Sequence, residues 1–159
     1  MCAADRDIVE THGALKQLVV SLMKMANDRR MLASGPRSGI GEMMIPENEP
    51  GSSIMPGKVN PTQNEALTMV CAQVMGNHTT ITIAGQSGNF QLNVMMPIIA
   101  HNILESLRLL STASIALADQ TIASFTVRQV RLGQCLDCNR ILFTGLRPAM
   151  GYDKGAALT

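Results

Sequence analysis

One short segment holds the side chains whose types and spacing could do chemistry. Ser52 and Ser53 follow a glycine, Lys58 comes six residues after Ser52, and Asn60-Pro61 follows. Asn and Pro are both favoured where a helix begins, and a helix N-terminus attracts carboxylates through its unpaired N–H groups and its dipole. The Lys58 ammonium and the Asn60 amide would add a charge and directional hydrogen bonds. The pattern predicts a small anion site beside a hydroxyl group.

This segment ends a longer stretch, residues 34–60, that is rich in helix and strand breakers. The stretch holds five glycines and four of the chain's seven prolines, so no helical or strand period is expected in it. A long irregular loop is usually functional or disordered, and a loop can close over a substrate and expel water. Taken alone, a serine-containing loop before a capped helix is common, and an ordinary surface loop remains an alternative.

Helices are predicted on both sides of the loop. Before it, residues 13–33 repeat apolar side chains at helical spacing. After it, a helix should open with Asn60 as N-cap, Pro61 at the first helical position and Gln63 completing a capping box. The run of β-branched residues at 79–83 favours a strand by propensity, but we expect tertiary packing to extend the helix to a turn at 85–89.

The second half of the chain is also predicted to be helical. Residues 91–124 keep an apolar spacing of three, four or seven residues, and such a helix would be about 50 Å long. Because one small domain cannot cover that length, a bundle with helices from other chains is expected. A shorter helix is predicted over 126–144, and an irregular tail from Arg147-Pro148. Twelve Met, three Phe, one Tyr and no Trp favour helix-on-helix packing, so the fold class is all-α.

Charge and composition exclude several classes of partner. The net charge is +1, without a basic run, so neither nucleic acid nor an anionic membrane is expected. No apolar run reaches the roughly 18 residues that span a bilayer, and the N-terminus does not resemble a signal peptide. Cys135 and Cys138 form a lone C-x-x-C that lacks further zinc ligands, so we predict ordinary thiols. His78 and His101 are expected to be structural or surface residues, and Arg37 structural.

The string Gly51–Pro61 resembles the signature of the aspartase/fumarase superfamily. The residues around it resemble the class II fumarase branch, in which a glycine precedes the lysine of the signature. Further similar segments lie at 34–42, 46–50, 62–69, 73–78, 92–94 and 151–154. The resemblance is close over about residues 15–125 and looser over 126–150.

The resemblance implies roles for six residues. Ser52 matches the catalytic base, which takes the proton from the carbon next to a carboxylate. Glu65 matches a position important for activity, and could orient Lys58 or set the charge near the loop. The implied substrate contacts are Ser53, Lys58, Val59 and Asn60. Donors fixed on the carboxylate would stabilise the aci-carboxylate carbanion in the transition state.

The implied reaction is the reversible hydration of fumarate to (S)-malate by anti addition, without a metal or organic cofactor. The implied partners are a small dicarboxylate and identical subunits of a tetramer, in the cytoplasm or the mitochondrial matrix. Residues 1–125 would belong to the central helical-bundle domain with its catalytic loop 34–60. Residues 126–159 would end the bundle before a C-terminal domain that is missing here.

Two alternatives to this function stay open. One is another lyase of the superfamily, such as an aspartase-like ammonia-lyase. The other is a helical scaffold without catalysis, since the family's other active-site segments, including a histidine, have no match in this chain. For the same reason the isolated chain is expected not to turn over fumarate.

Overall fold

A computed structural model describes residues 5–35, 37–139, 141, 144–145 and 147–157. Within these ranges the chain is mostly helical, which confirms the all-α class. The helices are α1 (Arg6–Leu32), α2 (Thr62–Gln86), α3 (Met96–Leu117), α4 (Gln129–Asp137), α5 (Arg147–Met150) and α6 (Tyr152–Ala157), with a π-helical turn at Ala118–Ile122. Two short strands, β1 (Met43–Met44) and β2 (Thr126–Val127), complete the described elements. In these ranges no helix combines the length and the apolar character that crossing a bilayer requires.

The long helices α1, α2 and α3 form a bundle in which α2 packs against both neighbours. Its core has two apolar clusters. The larger joins buried residues of all three helices: Val19, Ala26, Leu67, Cys71, Val74, Leu110 and Leu117. The smaller consists of Ile81, Ala84 and Ile99. Burying one such aliphatic side chain contributes about 1.5–3 kcal/mol, so this core gives the loop between α1 and α2 a fixed frame.

A buried polar network lies between the two clusters. His12 Nε2 lies 2.9 Å from Ser106 Oγ, and Asn77 Nδ2 lies 3.1 Å from the same oxygen. Asn77 also donates to Glu105 Oε2 at 2.9 Å. The ring of His78 stacks on that of His12, with their Nδ1 atoms 3.3 Å apart. Buried polar groups are costly unless hydrogen-bonded, so this network fixes the mutual register of the three helices.

Helix α2 runs through the β-branched segment 79–83, as the sequence analysis predicted. Ile81 is fully buried in the smaller cluster. The hydroxyls of Thr79, Thr80 and Thr82 each donate to the carbonyl four residues earlier. Burial on one face and local hydrogen bonds on the other therefore override strand propensity.

The predicted bounds of the first and third helices were inexact. Helix α1 begins at Arg6 rather than residue 13, because Ile8 and Val9 pack against the smaller cluster. Helix α3 begins at Met96 rather than residue 91 and passes into the π-helical turn at residue 118. The delay at its start has a local cause: the buried Asn93 accepts a hydrogen bond from Met95 N at 2.9 Å, which holds a turn there.

The prediction of one helix over 126–144 was wrong, and so was that of a loop without strands. Met43 and Met44 pair antiparallel with Val127 and Thr126, and only Gln129–Asp137 is helical in that region. Extended pairing suits β-branched Thr126 and Val127. The tail from Arg147 is not irregular either, since α5 and α6 occupy it.

Candidate substrate site

The loop over residues 51–60 is closed on itself by hydrogen bonds. Gly51 N donates to Lys58 O at 3.1 Å, and Lys58 N donates to Met55 O at 3.2 Å. Asn60 Nδ2 donates to Gly51 O at 2.8 Å. Gly57 makes the turn with a φ of 76°, which favours glycine. The ends of the loop are therefore tied together, and its shape is largely local.

Position 51 accepts only glycine in this geometry. A Cβ atom added there would lie 2.0 Å from Lys58 O and 2.6 Å from Lys58 C. No Cβ tolerates backbone atoms that close. Any side chain at this position would force the backbone of residue 51 away from that of Lys58.

The two serines differ in their surroundings. Ser52 is half-buried, and its Oγ accepts a hydrogen bond from Ile54 N at 3.2 Å. Ser53 is exposed. Among the described residues, no side chain that could act as a base for Ser52 is hydrogen-bonded to it. The catalytic role of Ser52 stays a prediction.

An open cleft of about 1190 Å³ lies between the end of α1, β1, the closed loop and the start of α2. Lys58, Val59 and Glu65 line it, and the other three predicted site residues are not in its lining. Its charged side chains are three cations and two carboxylates: Arg30, Lys58, Arg128, Glu47 and Glu65. The excess of positive charge suits an anionic ligand.

Glu65 is paired with Arg30 and not with Lys58. Its Oε1 lies 3.6 Å from Arg30 Nη2, and Arg30 Nη1 donates to Asn27 Oδ1 at 3.3 Å. Lys58 is exposed, and within the described ranges its ammonium group has no partner. The interpretation that Glu65 orients Lys58 finds no contact to support it here.

The predicted capping box is absent. Helix α2 begins at Thr62, and no side chain caps it. The Asn60 amide donates to the loop carbonyl of Gly51 instead. The Gln63 amide does not reach back to residue 60 either, because it binds Asn48 and Gln120. Asn60 therefore fastens the loop rather than the helix.

Two cations of the cleft, Arg30 and Arg128, were not predicted from the sequence. Arg30 had a local signal, since it is a basic residue in the last turn of α1, immediately before the loop. Arg128 had none. It reaches the cleft only because β1 pairs with β2, and its backbone N–H donates to Glu42 O at 2.9 Å.

Comparison with known proteins relates this geometry to one family. Residues 2–76, which include the loop and the start of α2, match a family model described as lyase. The class II fumarate hydratase of Pasteurella multocida is 58% identical over 151 residues, covering 95% of this chain and 32% of that protein. The mitochondrial fumarate hydratase of Dictyostelium discoideum is 55% identical over 154 residues, covering 97% and 32%.

A solved structure agrees with these sequences. The crystal structure of a class II fumarase from Schistosoma mansoni superposes with a TM-score of 0.94 at 41% identity, covering 98% of this chain and 33% of that one. Over nearly all of its length the chain is similar to class II fumarases. It spans about a third of the length of the curated relatives it matches. Agreement with a class II fumarase over nearly the whole chain includes the β1–β2 region that the sequence analysis did not predict.

Proposed function

We propose that this chain forms part of a fumarate hydratase, which interconverts fumarate and (S)-malate by anti addition of water through an aci-carboxylate carbanion. The observation that carries the proposal is the closed loop 51–60. Its Lys58 lines a cleft in which positively charged side chains outnumber negatively charged ones. A dicarboxylate is the ligand class that suits such a cleft. The assigned chemistry needs a base and fixed donors to a carboxylate, and the proposal includes no metal or organic cofactor.

In this proposal Ser52 is the base that removes the proton from the carbon next to a carboxylate. A serine hydroxyl is a weak base, so its alkoxide must be stabilised by neighbouring charges and donors. One such donor is present, since Ile54 N–H points at Ser52 Oγ over 3.2 Å. The ammonium of Lys58, on the same loop, would provide a charge if the loop closes further over substrate.

Lys58 and Asn60 hold the substrate carboxylate in this proposal, with Ser53 and Val59 as further contacts. Lys58 is exposed and has no partner within the described ranges, so its charge is available for a charge-assisted hydrogen bond. Asn60 Nδ2 carries two hydrogens, and its bond to Gly51 O uses one of them. Donors held in place before the reaction stabilise the charge that develops on the carboxylate. Glu65 is proposed to act in catalysis from the cleft wall.

The proposal extends to assembly and location. A homotetramer is supported by the large apolar side chains that the bundle leaves exposed, among them Leu18, Met69, Ile83 and Leu104. Residues 1–125 would belong to the central helical-bundle domain, and residues 126–159 would form the end of that domain. The Dictyostelium relative is named as mitochondrial, whereas the Pasteurella relative is bacterial. A role in the tricarboxylic acid cycle, in the cytoplasm or the mitochondrial matrix, would follow from the proposed activity.

A graft tests the proposed function directly. The matching stretch of the Pasteurella multocida enzyme is replaced by this chain, and loss of fumarate is followed by ultraviolet absorbance with identification of malate. We expect malate formation from the graft and none from the 159-residue chain alone. A graft that assembles like the unmodified enzyme but forms no malate, or forms aspartate when ammonia is supplied, would overturn the proposal.

A further inference from the structure

Two side chains of opposite charge meet on the wall of the cleft without obvious benefit to folding. Arg30, in the last turn of α1, and Glu65, in the first turn of α2, lie with Nη2 and Oε1 3.6 Å apart. Their side chains are 39% and 35% exposed. An ion pair this accessible to solvent contributes little to stability, so a different role must be sought for it.

The cleft that holds this pair is also lined by Lys58, whose ammonium group has no partner within the described ranges. Lys58 and Glu65 line the same cleft, and they are separated by six residues across the start of α2. A carboxylate free to move there would attract the ammonium and compete with an incoming anion. In the structure Glu65 instead turns to Arg30, and Arg30 is itself held by Asn27 Oδ1 at 3.3 Å.

We infer that Arg30 is a positioning residue, which holds the Glu65 carboxylate on the cleft wall and so keeps the Lys58 ammonium free for the carboxylate of a substrate. The inference rests on the proposed function for the identity of that substrate. The pairing itself does not depend on it. Arg30 contacts no reacting atom and acts only through Glu65.

Arg128 provides a matched control. It is an arginine of the same cleft, but in the described part of the chain its guanidinium has no ion pair with Glu65. Replacing Arg128 removes a positive charge from the cleft and leaves Glu65 paired. Variants at the two positions therefore distinguish the effect of losing a positive charge in the cleft from the effect of releasing the Glu65 carboxylate.

The first test uses kinetics of the grafted enzyme. Arg30→Gln should raise KM for malate about 10-fold to 100-fold, the range expected for one lost charge-assisted hydrogen bond. Arg30→Lys should retain most of the affinity. The double variant Arg30→Gln/Glu65→Gln should return KM toward the unmodified value, because the competing carboxylate is gone. Its kcat should be low, since Glu65 is proposed to act in catalysis. A double variant with KM as high as that of Arg30→Gln would overturn the inference, since it would make Arg30 merely structural or a direct ligand.

The second test needs no activity and uses the 159-residue chain itself. A water-soluble carbodiimide joins a carboxylate to an amine in direct contact, and a guanidinium does not react. Mass spectrometry should find little Lys58–Glu65 crosslink in the unmodified chain, severalfold more in Arg30→Gln, and no increase in Arg128→Gln. In Arg30→Lys a crosslink from that position to Glu65 should appear. Equal Lys58–Glu65 yields with and without Arg30 would refute the positioning role. An inactive graft would count against the proposed function only and leave this result standing.

Discussion

The bundle core and the closed loop 51–60 are held together by different means. In the core, Leu67, Val74 and Ile81 are completely buried among the three long helices. In the loop, Ile54 is 85% exposed, and the shape depends on a few hydrogen bonds and a glycine. Segments with few buried apolar contacts open at lower free energy than the core. The molecule therefore combines a rigid frame with a segment able to rearrange around a ligand.

The largest expected effect is a loss of kcat caused by a substitution in the loop. Ser52→Ala should lower kcat of the grafted enzyme by about 10²–10⁴-fold, the usual contribution of a general base. The free energy of unfolding of this variant should change by no more than about 1 kcal/mol, because the hydrogen bond lost from Ile54 N is exposed to solvent. The control is Ser111→Ala, an exposed serine of α3 whose hydroxyl donates to Arg108 O. Equal rates for the two variants would remove Ser52 from the mechanism.

The next largest effect is a loss of stability, which should be large for a substitution in the core and small for one in the loop. Leu67→Ala should cost about 2–5 kcal/mol, because it leaves a cavity in the core. Ile54→Ala should change stability by less than about 0.5 kcal/mol, since the side chain is 85% exposed. Urea unfolding of the two variants measures both values. Similar losses at the two positions would show that the loop is packed in solution more tightly than the structure indicates.

A smaller effect is expected from pH, through the histidines of the polar network. Burial lowers the pKa of His12, and the neighbouring His78 lowers it further. Burial and the charge of Lys16 lower the pKa of His78. Glu105 is the carboxylate of the same network. Because both pKa values are below the ordinary value of about 6.5, the unfolded chain takes up protons first as the pH falls.

Stability should therefore be constant above about pH 6.5 and decrease below it, until the pH passes the lowered pKa values of the folded chain. The measurement is the free energy of unfolding in urea at about pH 7.5 and about pH 5.5. The unmodified chain should lose more stability between these values than His12→Gln/His78→Gln does. The same loss in both chains would show that these two histidines do not couple folding to pH.

The sequence permitted prediction of those features that depend on local pattern or on a long recognisable motif. The apolar spacing located the three long helices α1, α2 and α3, and the string Gly51–Pro61 located the loop. The Thr-Ile run in α2 was correctly predicted as helix, because burial of Ile81 outweighs strand propensity. These features depend only on residues that are close in sequence and on the apolar face of each helix.

Features that depend on distant pairing could not be predicted. The antiparallel contact of Met43 with Val127 joins residues 84 positions apart, and Arg128 enters the cleft with it. The pairing of Arg30 with Glu65 depends on how α1 packs against α2. Asn60 was misread for a related reason: asparagine is a good N-cap, but here the nearby Gly51 carbonyl competes for its amide.

A crystal structure of the grafted enzyme with malate bound would show whether the closed loop 51–60 holds the substrate. Lys58 Nζ should lie about 2.7–2.9 Å from a carboxylate oxygen of the ligand. Ser52 Oγ should lie on the same side of the ligand, facing the carbon that loses its proton. A structure in which malate binds away from the loop, with both side chains directed into bulk solvent, would rule out the roles proposed for Ser52 and Lys58.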